Sequence, residues 1–226
     1  MKRITQIACI SLALALLGCV SSEPKTPKLS DTDVIMDRLH RITNADASLV
    51  YVDPSVDFRK YTKVMVDALG VSDVDIIQPD TRGSAAMRSR RNKWELTDED
   101  KLRLQKAFAD AMHTYLEEKG DYPIVTGPGD DVLRISAVLT ALAPTAPRED
   151  FMTRGRVYTE GAGSVYISVG FVDSESGEVL AIVKDVKSTP NRWGVNNRVT
   201  NMSDVKFIFN GWARAIRARL DIIHGD

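Results

Sequence analysis

Apolar and polar positions divide the chain into an apolar leader, a polar stretch and a long region where strand and helix periods alternate. The pattern is firm from residue 49 onward. Leu49-Val50-Tyr51-Val52 is a β-rich run closed by Asp53-Pro54. From Tyr61 to Leu69, Val64, Val66 and Ala68 alternate with Met65 and Asp67, the period of a half-buried strand. Tyr122 to Thr126 predicts a short strand, followed by the turn Gly127-Pro128-Gly129-Asp130. Val132 to Leu142 predicts a long strand. Leu133, Ile135, Ala137, Leu139 and Ala141 share one of its faces, and Arg134, Ser136 and Thr140 share the other. Ser164 to Val172 and Val179 to Lys187 predict a hairpin joined by Asp173-Ser174-Glu175-Ser176-Gly177-Glu178.

Two segments follow the helical period instead. Thr97 to Lys119 carries Leu104, Phe108, Ala111, Met112, Tyr115 and Leu116 on one stripe. Thr97 is placed to cap it, Asp98, Glu99 and Asp100 sit at the positive dipole end, and Gly120 follows its last turn. Ser203 to about Ile223 carries Val205, Ile208, Trp212, Ala215, Ile216, Leu220 and Ile223. Residues 31 to 48 are ambiguous: Val34, Ile35, Leu39 and Ile42 form one face of a short helix if Asp31 and Asp33 open it. Residues 20 to 30, with Pro24 and Pro27, read as a tether. The element order predicts an α+β fold, a mainly antiparallel sheet with two main helices packed on one face. A single domain over 49–226 is expected.

The leader changes the picture most. Lys2 and Arg3 precede an apolar run from Ile7 to Leu17, about eleven residues against the ~20 that span a bilayer. Leu16-Leu17-Gly18-Cys19 resembles the lipobox of bacterial lipoproteins, in which the thiol becomes the acylated first residue. The expectation is therefore a signal over 1–18, a lipidated Cys19 with a tether over 19–48, and a domain facing the periplasm. Val20 and Ser21 follow Cys19 where an Asp would favour the inner membrane, so the expected partner is the outer-membrane bilayer.

Composition adds exclusions. The chain has 226 residues, 43% hydrophobic and 27% charged, with net charge −1, a balance for a globular protein and not for a nucleic-acid binder. Cleavage removes two of the 30 basic residues and none of the 31 acidic ones. Its two cysteines, Cys9 and Cys19, both lie at the start, so neither a disulfide framework nor a thiolate metal site is expected in the domain.

Candidate chemistry is sparse. His40, His113 and His224 lack metal-ligand spacing, and the acidic spots at 98–100, 130–131 and 173–175 lack that of a calcium loop. Gly161-Ala162-Gly163-Ser164 precedes a strand and not a helix, so it reads as a strand entry and not a nucleophile elbow. Asp185 shares a strand face with Val179, Ala181 and Val183, and a buried carboxylate needs a partner. Arg134 and Arg192 are the candidates for a structural ion pair with it. The basic stretch Arg88, Arg90, Arg91 and Lys93 with Trp94, together with Trp193, lies in the long loops 70–96 and 188–202 and is the candidate interaction surface. No catalytic residue, metal or cofactor is expected.

An ordered set of segments resembles a family of Gram-negative lipoproteins named only as domain of unknown function 3313. The set is Tyr51-Val52-Asp53-Pro54, Asp57-Phe58-Arg59-Lys60-Tyr61, Val64-Met65-Val66-Asp67, the acid-capped helix, Asp131-Val132-Leu133-Arg134, the turn 173–178 with Val179-Leu180, then Asp185, Trp193 and Trp212-Ala213. The resemblance spans roughly residues 49 to 223 and implies no catalytic residues. The element order also looks like small α+β domains of envelope lipoproteins that dock or assemble larger machines. The expected function is a non-catalytic interaction or assembly role with an envelope protein partner. The alternatives are a small-ligand or lipid-binding module, whose pocket would lie on the sheet face away from the helices, and an unrecognised hydrolase.

Overall fold

A computed structural model of the chain describes residues 27–79, 93–146, 158–189, 193–195 and 198–225. Ten strands and two main helices appear among them: β1 (Lys28–Ile35), β2 (Leu39–Thr43), β3 (Leu49–Val52), β4 (Lys63–Val66), β5 (Asp75–Ile76), α1 (Asp98–Met112), β6 (Val132–Pro144), β7 (Tyr158–Glu160), β8 (Gly163–Asp173), β9 (Val179–Ser188), β10 (Trp193–Val195) and α2 (Arg198–His224). Eight strands form one sheet in the order β1-β2-β3-β9-β8-β6-β4, with β5 continuing beside β6. β4 and β5 run parallel to β6, and the other pairings are antiparallel. β7 and β10 pair separately. The fold is α+β, as the periodicity implies. Among the described residues no helix is long and apolar enough to cross a membrane.

Alternation places the core. Leu133, Ile135, Ala137 and Leu139 of β6 share one face, with Ile135, Ala137 and Leu139 level with Phe171, Val169 and Ile167 of β8. These residues pack with Leu104, Phe108, Ala111 and Met112 of α1 and Ile208, Phe209, Trp212 and Ala213 of α2. Phe108 and Phe209 meet edge to face, centroids 5.7 Å apart. The two helices run in the same direction. Their first turns share one cavity, while their far ends meet through Tyr115 with Arg214 and Tyr122 with His224. Thr97 caps α1 in a full capping box with Asp100, satisfying two otherwise orphaned donors. After Met112 the helix widens into a π-helical turn over His113–Glu118. Gly120 follows where a Cβ would lie 2.7 Å from the Leu116 carbonyl oxygen, so its role is close approach.

Several expectations change. Residues 28–43 are neither tether nor helix: β1 and β2 form a hairpin that extends the sheet, and Leu39 is fully buried. The residues that suggested a helical face instead flank a turn at Met36 and Asp37, both at positive φ (52° and 60°). That turn geometry usually carries Asn-Gly, and its absence hid the hairpin. The sheet therefore already includes residues 28–43, ahead of position 49. β4 is only Lys63–Val66, and Tyr122 to Thr126 supplies one bridge, Ile124 to Val64. α2 starts at Arg198, ahead of Ser203. Residues 1–26, with the expected signal and Cys19, lie outside the described residues.

The sheet has two distinct ends. At one, Lys28 opposes Thr43, Leu49 opposes Lys184, Ser164 opposes Ser188, and Pro144 opposes Gly163. At the other lie the β1–β2 turn, Asp53 and the β8–β9 turn. This second end is tied by polar groups. Asp173 accepts from the Ser176 backbone N–H and hydroxyl, the Glu175 N–H, the Tyr61 hydroxyl at 2.7 Å and Lys60 at 3.0 Å. Buried Asp53 accepts from the Ser55 N–H and hydroxyl. Arg38 pairs with Glu178 and donates to the Val179 carbonyl.

Candidate functional site

The first end of the sheet holds a cavity of about 450 Å³. Its floor is buried Leu104 of α1 and Val165 of β8, beside Leu142 of β6 and Val205 of α2. Ile76, Leu96, Met202 and Trp94 complete the apolar wall. The volume lies within the ~300–1,000 Å³ range of small-molecule pockets.

Three local devices hold this end open. Trp94 donates through its N–H to the Gln78 side-chain oxygen at 2.9 Å, and its carbonyl accepts from the Gln78 amide. Its indole N–H reaches the Ala146 carbonyl at 2.7 Å, which fixes the ring across the cavity wall. Buried Thr189 accepts on its hydroxyl from the Ala162 and Gly163 N–H groups, at 2.7 and 3.1 Å. Gly163 has φ +140°, and a Cβ there would lie 2.2 Å from the Ala143 carbonyl oxygen. Only glycine lets β8 start so close to β6. The motif 161–164 is thus a strand entry built into the cavity floor.

Among the described residues the polar lining groups are few and none is cationic. Glu99 is paired with Arg103, and Asp100 accepts from the Thr97 N–H and hydroxyl in the cap. Thr97, Ser164, Thr189 and Asn201 contribute neutral groups. The arrangement suits an apolar guest and offers nothing to neutralise a buried anion.

The sequence-predicted residues are distributed as follows. Trp94 lines the cavity, half-buried, and Lys93 beside it is exposed. Arg88, Arg90, Arg91 and Arg192 lie outside the described residues, and Trp193 is placed as a backbone position opposite Glu160. Asp185 and Arg134 do not form an ion pair. Arg134 sits level with Val172 on the face away from the helices and binds Asp67 at 2.9–3.0 Å. Asp185 sits level with Ile167 on the helix face. It accepts from the Trp212 indole N–H at 2.8 Å and from the Ser48 N–H and hydroxyl at 3.1 and 3.0 Å. β8 separates their strands and the sheet separates their side chains.

Sequence reasoning missed Thr189, Met202 and Leu142 as cavity residues, and Gln78 as the residue that holds Trp94. Met202 and Leu142 carried an apolar signal, but Gln78 and Thr189 carried none. The pocket also lies on the helix side and not on the opposite sheet face. That opposite face is mixed: Arg134 with Asp67, Ser136, Ser168, and Val138 and Val186, which are 45% and 39% exposed. Among the described residues no three His, Cys, Asp or Glu side chains gather to hold a metal.

A family model described as protein of unknown function (DUF3313) matches residues 26–216. The chain belongs to this family. The DUF3313 match starts just ahead of β1, in step with a folded domain that includes the β1–β2 hairpin. No curated protein matches the chain. Solved structures similar to this DUF3313 chain at low identity include the following three. Protein XCC0632 from Xanthomonas campestris shares 9% identity, with 71% of this chain and 84% of that one covered and a TM-score of 0.42. The PelC dodecamer from Paraburkholderia phytofirmans shares 11%, with 74% and 94% covered and a TM-score of 0.37. A neuraminyllactose-binding hemagglutinin homolog from Helicobacter pylori shares 13%, with 72% and 88% covered and a TM-score of 0.38.

Proposed function

We propose that this chain is a lipoprotein held at the outer membrane by acylated Cys19, with a periplasmic domain in a non-catalytic binding role. The observation that carries the binding role is the apolar cavity between the first turns of the two helices and the end of the sheet. The anchor reading is supported by the leader pattern, Lys2-Arg3, the short apolar run and Leu16-Leu17-Gly18-Cys19. The non-catalytic reading is supported by Asp185, the carboxylate with the strongest claim to reactivity. Its oxygens are taken up by Trp212 and Ser48, and Arg134 faces the other side of the sheet. A hydrolase would need such groups to converge in an open cleft.

Two measurements test this reading. Cys19→Ser releases the chain from membrane fractions; a variant that still sediments with membranes refutes the anchor. Native mass spectrometry of the chain purified from envelopes finds a small molecule bound, and Val205→Trp lowers its occupancy. A chain that comes through empty under gentle extraction refutes the binding role. A second reading, docking of an envelope protein partner, is favoured by exposed Val138 and Val186 on the face away from the helices. Photocrosslinkers placed at these two positions in cells test it, and crosslinks to lipid alone count against it.

A further inference from the structure

We propose that the cavity takes one unbranched acyl chain, entering tail first from the membrane to which the domain is tethered. This inference rests on the binding role proposed above and names the ligand class.

Four observations converge. The first is size: a methylene takes about as much room as a liquid water molecule, ~30 Å³, so about 450 Å³ holds about 15 chain carbons. That is one acyl chain and not two. The second is polarity. The floor is Leu104, Leu142, Val165 and Val205, and of the polar groups around it Thr97 and Asp100 form a helix cap and Thr189 a strand tie. The third is charge. Among the described residues no lysine or arginine lines the cavity, while Glu95, Glu99 and Asp100 do, so these residues do not draw a carboxylate or phosphate head inside.

The fourth is placement. β1 starts at Lys28, nine residues after Cys19, and Lys28 lies at the same end of the sheet as Gly163, Pro144 and the cavity. Nine extended residues span at most ~32 Å, and a flexible chain of that length averages ~15–18 Å. An acylated Cys19 therefore holds the cavity end within a short reach of the bilayer, and the opposite end, with Asp53 and Asp173, points away.

The test uses the chain from position 19 onward carrying Cys19→Ser, so that it has no acyl group of its own. A fluorescent fatty acid is titrated in and displaced by saturated fatty acids of 8 to 20 carbons. Affinity rises about fourfold per added methylene, the factor for about 0.8 kcal/mol, and stops rising at about 14–16 carbons, where the cavity is full. Val205→Trp and Met202→Trp, each checked for unchanged circular dichroism, weaken the longest chains at least tenfold and leave the shortest nearly unchanged.

The natively acylated protein is the second arm and distinguishes two sources of the same chemistry. Equal probe affinity assigns the cavity to a chain from surrounding lipid. Exclusion of the probe assigns it to the chain's own Cys19 acyl group. No binding, or affinity that climbs with chain length without a break, overturns the proposal. Membrane release of Cys19→Ser is read separately, so an intact anchor with an empty cavity separates failure of this inference from failure of the anchor reading.

Discussion

Replacing Asp173 by Asn removes a clamp that joins the β8–β9 turn to the segment before β4. One carboxylate oxygen accepts from the Glu175 and Ser176 N–H groups and the Ser176 hydroxyl, and the other from the Tyr61 hydroxyl and Lys60. Asn offers one acceptor oxygen in place of two. Its amide then faces either the turn N–H groups or the donors Tyr61 and Lys60, and donor meets donor. The Asp173 side chain is 13% exposed and Tyr61 only 1%, so water replaces these bonds poorly. With about 1 kcal/mol for a neutral bond and about 1.5–3 for one to a charged group, the expected loss is about 2–3 kcal/mol. For a domain of this size that lowers Tm by roughly 4–12 °C.

The effect of pH gives this prediction its sign. Hydrogen bonds from the Ser176 N–H first, then from Tyr61, hold the Asp173 carboxyl well below the ordinary carboxylate range. A depressed native pKa stabilises the fold above the unfolded value of about 3.9 and loses that contribution as pH falls through the native value. Urea melts of both proteins at pH 7 and at successively lower pH are the assay. The gap between them is full at pH 7 and narrows below about pH 3.9. A gap under about 0.5 kcal/mol at pH 7, or one that widens toward acid, refutes the reasoning.

Other substitutions probe the remaining joints. Gly163→Ala places a Cβ 2.2 Å from the Ala143 carbonyl oxygen at φ +140° and costs about 3 kcal/mol or more, read as a lost or much lowered melting transition. Gly170→Ala, whose nearest contact would be 3.8 Å, is its tolerated control in the same strand. Trp212→Phe strips the indole donor from half-buried Asp185 and destabilises by about 1–2 kcal/mol in chemical denaturation. Arg134→Ala breaks a pair whose arginine is 44% exposed, and a double-mutant cycle with Asp67 returns a coupling of at most about 1 kcal/mol.

Much of the fold was legible because its signals are local. β3 runs over Leu49–Val52, the run that ends at Asp53-Pro54. Thr97 caps α1, and the β8–β9 turn lies at 173–178, since caps and turns depend on neighbours a few residues away. The β1–β2 hairpin was illegible because Met36-Asp37 adopts positive φ without glycine or asparagine to announce it. β4 and β5 pair in parallel with β6, far away in sequence, and two-residue β5 has no periodicity to detect.

The site was legible only where a residue type is unusual for its place. Trp94 stood out as an aromatic in a long polar loop, and it does line the cavity. Its partners did not, because Gln78 and Ala146 lie 16 and 52 positions away. The Asp185–Arg134 pairing failed for a related reason. Alternation reads the two faces of each strand correctly, but which face of β6 matches which face of β9 depends on register through β8.

The two ends of the sheet then explain why the cavity lies where it does. At the Asp173 end the β8–β9 turn is tied by a side-chain carboxylate to Lys60 and Tyr61, and Asp53 binds Ser55 within its own turn. At the Gly163 end the ties are backbone and hydroxyl bonds around Thr189, and the side chains between them are free to be apolar. Two parallel helices start there, and the first turn of α1 is capped by Thr97 and Asp100. The cavity lies at the end closed with neutral bonds, which is the end at which β1 begins, nine residues after Cys19 in the sequence.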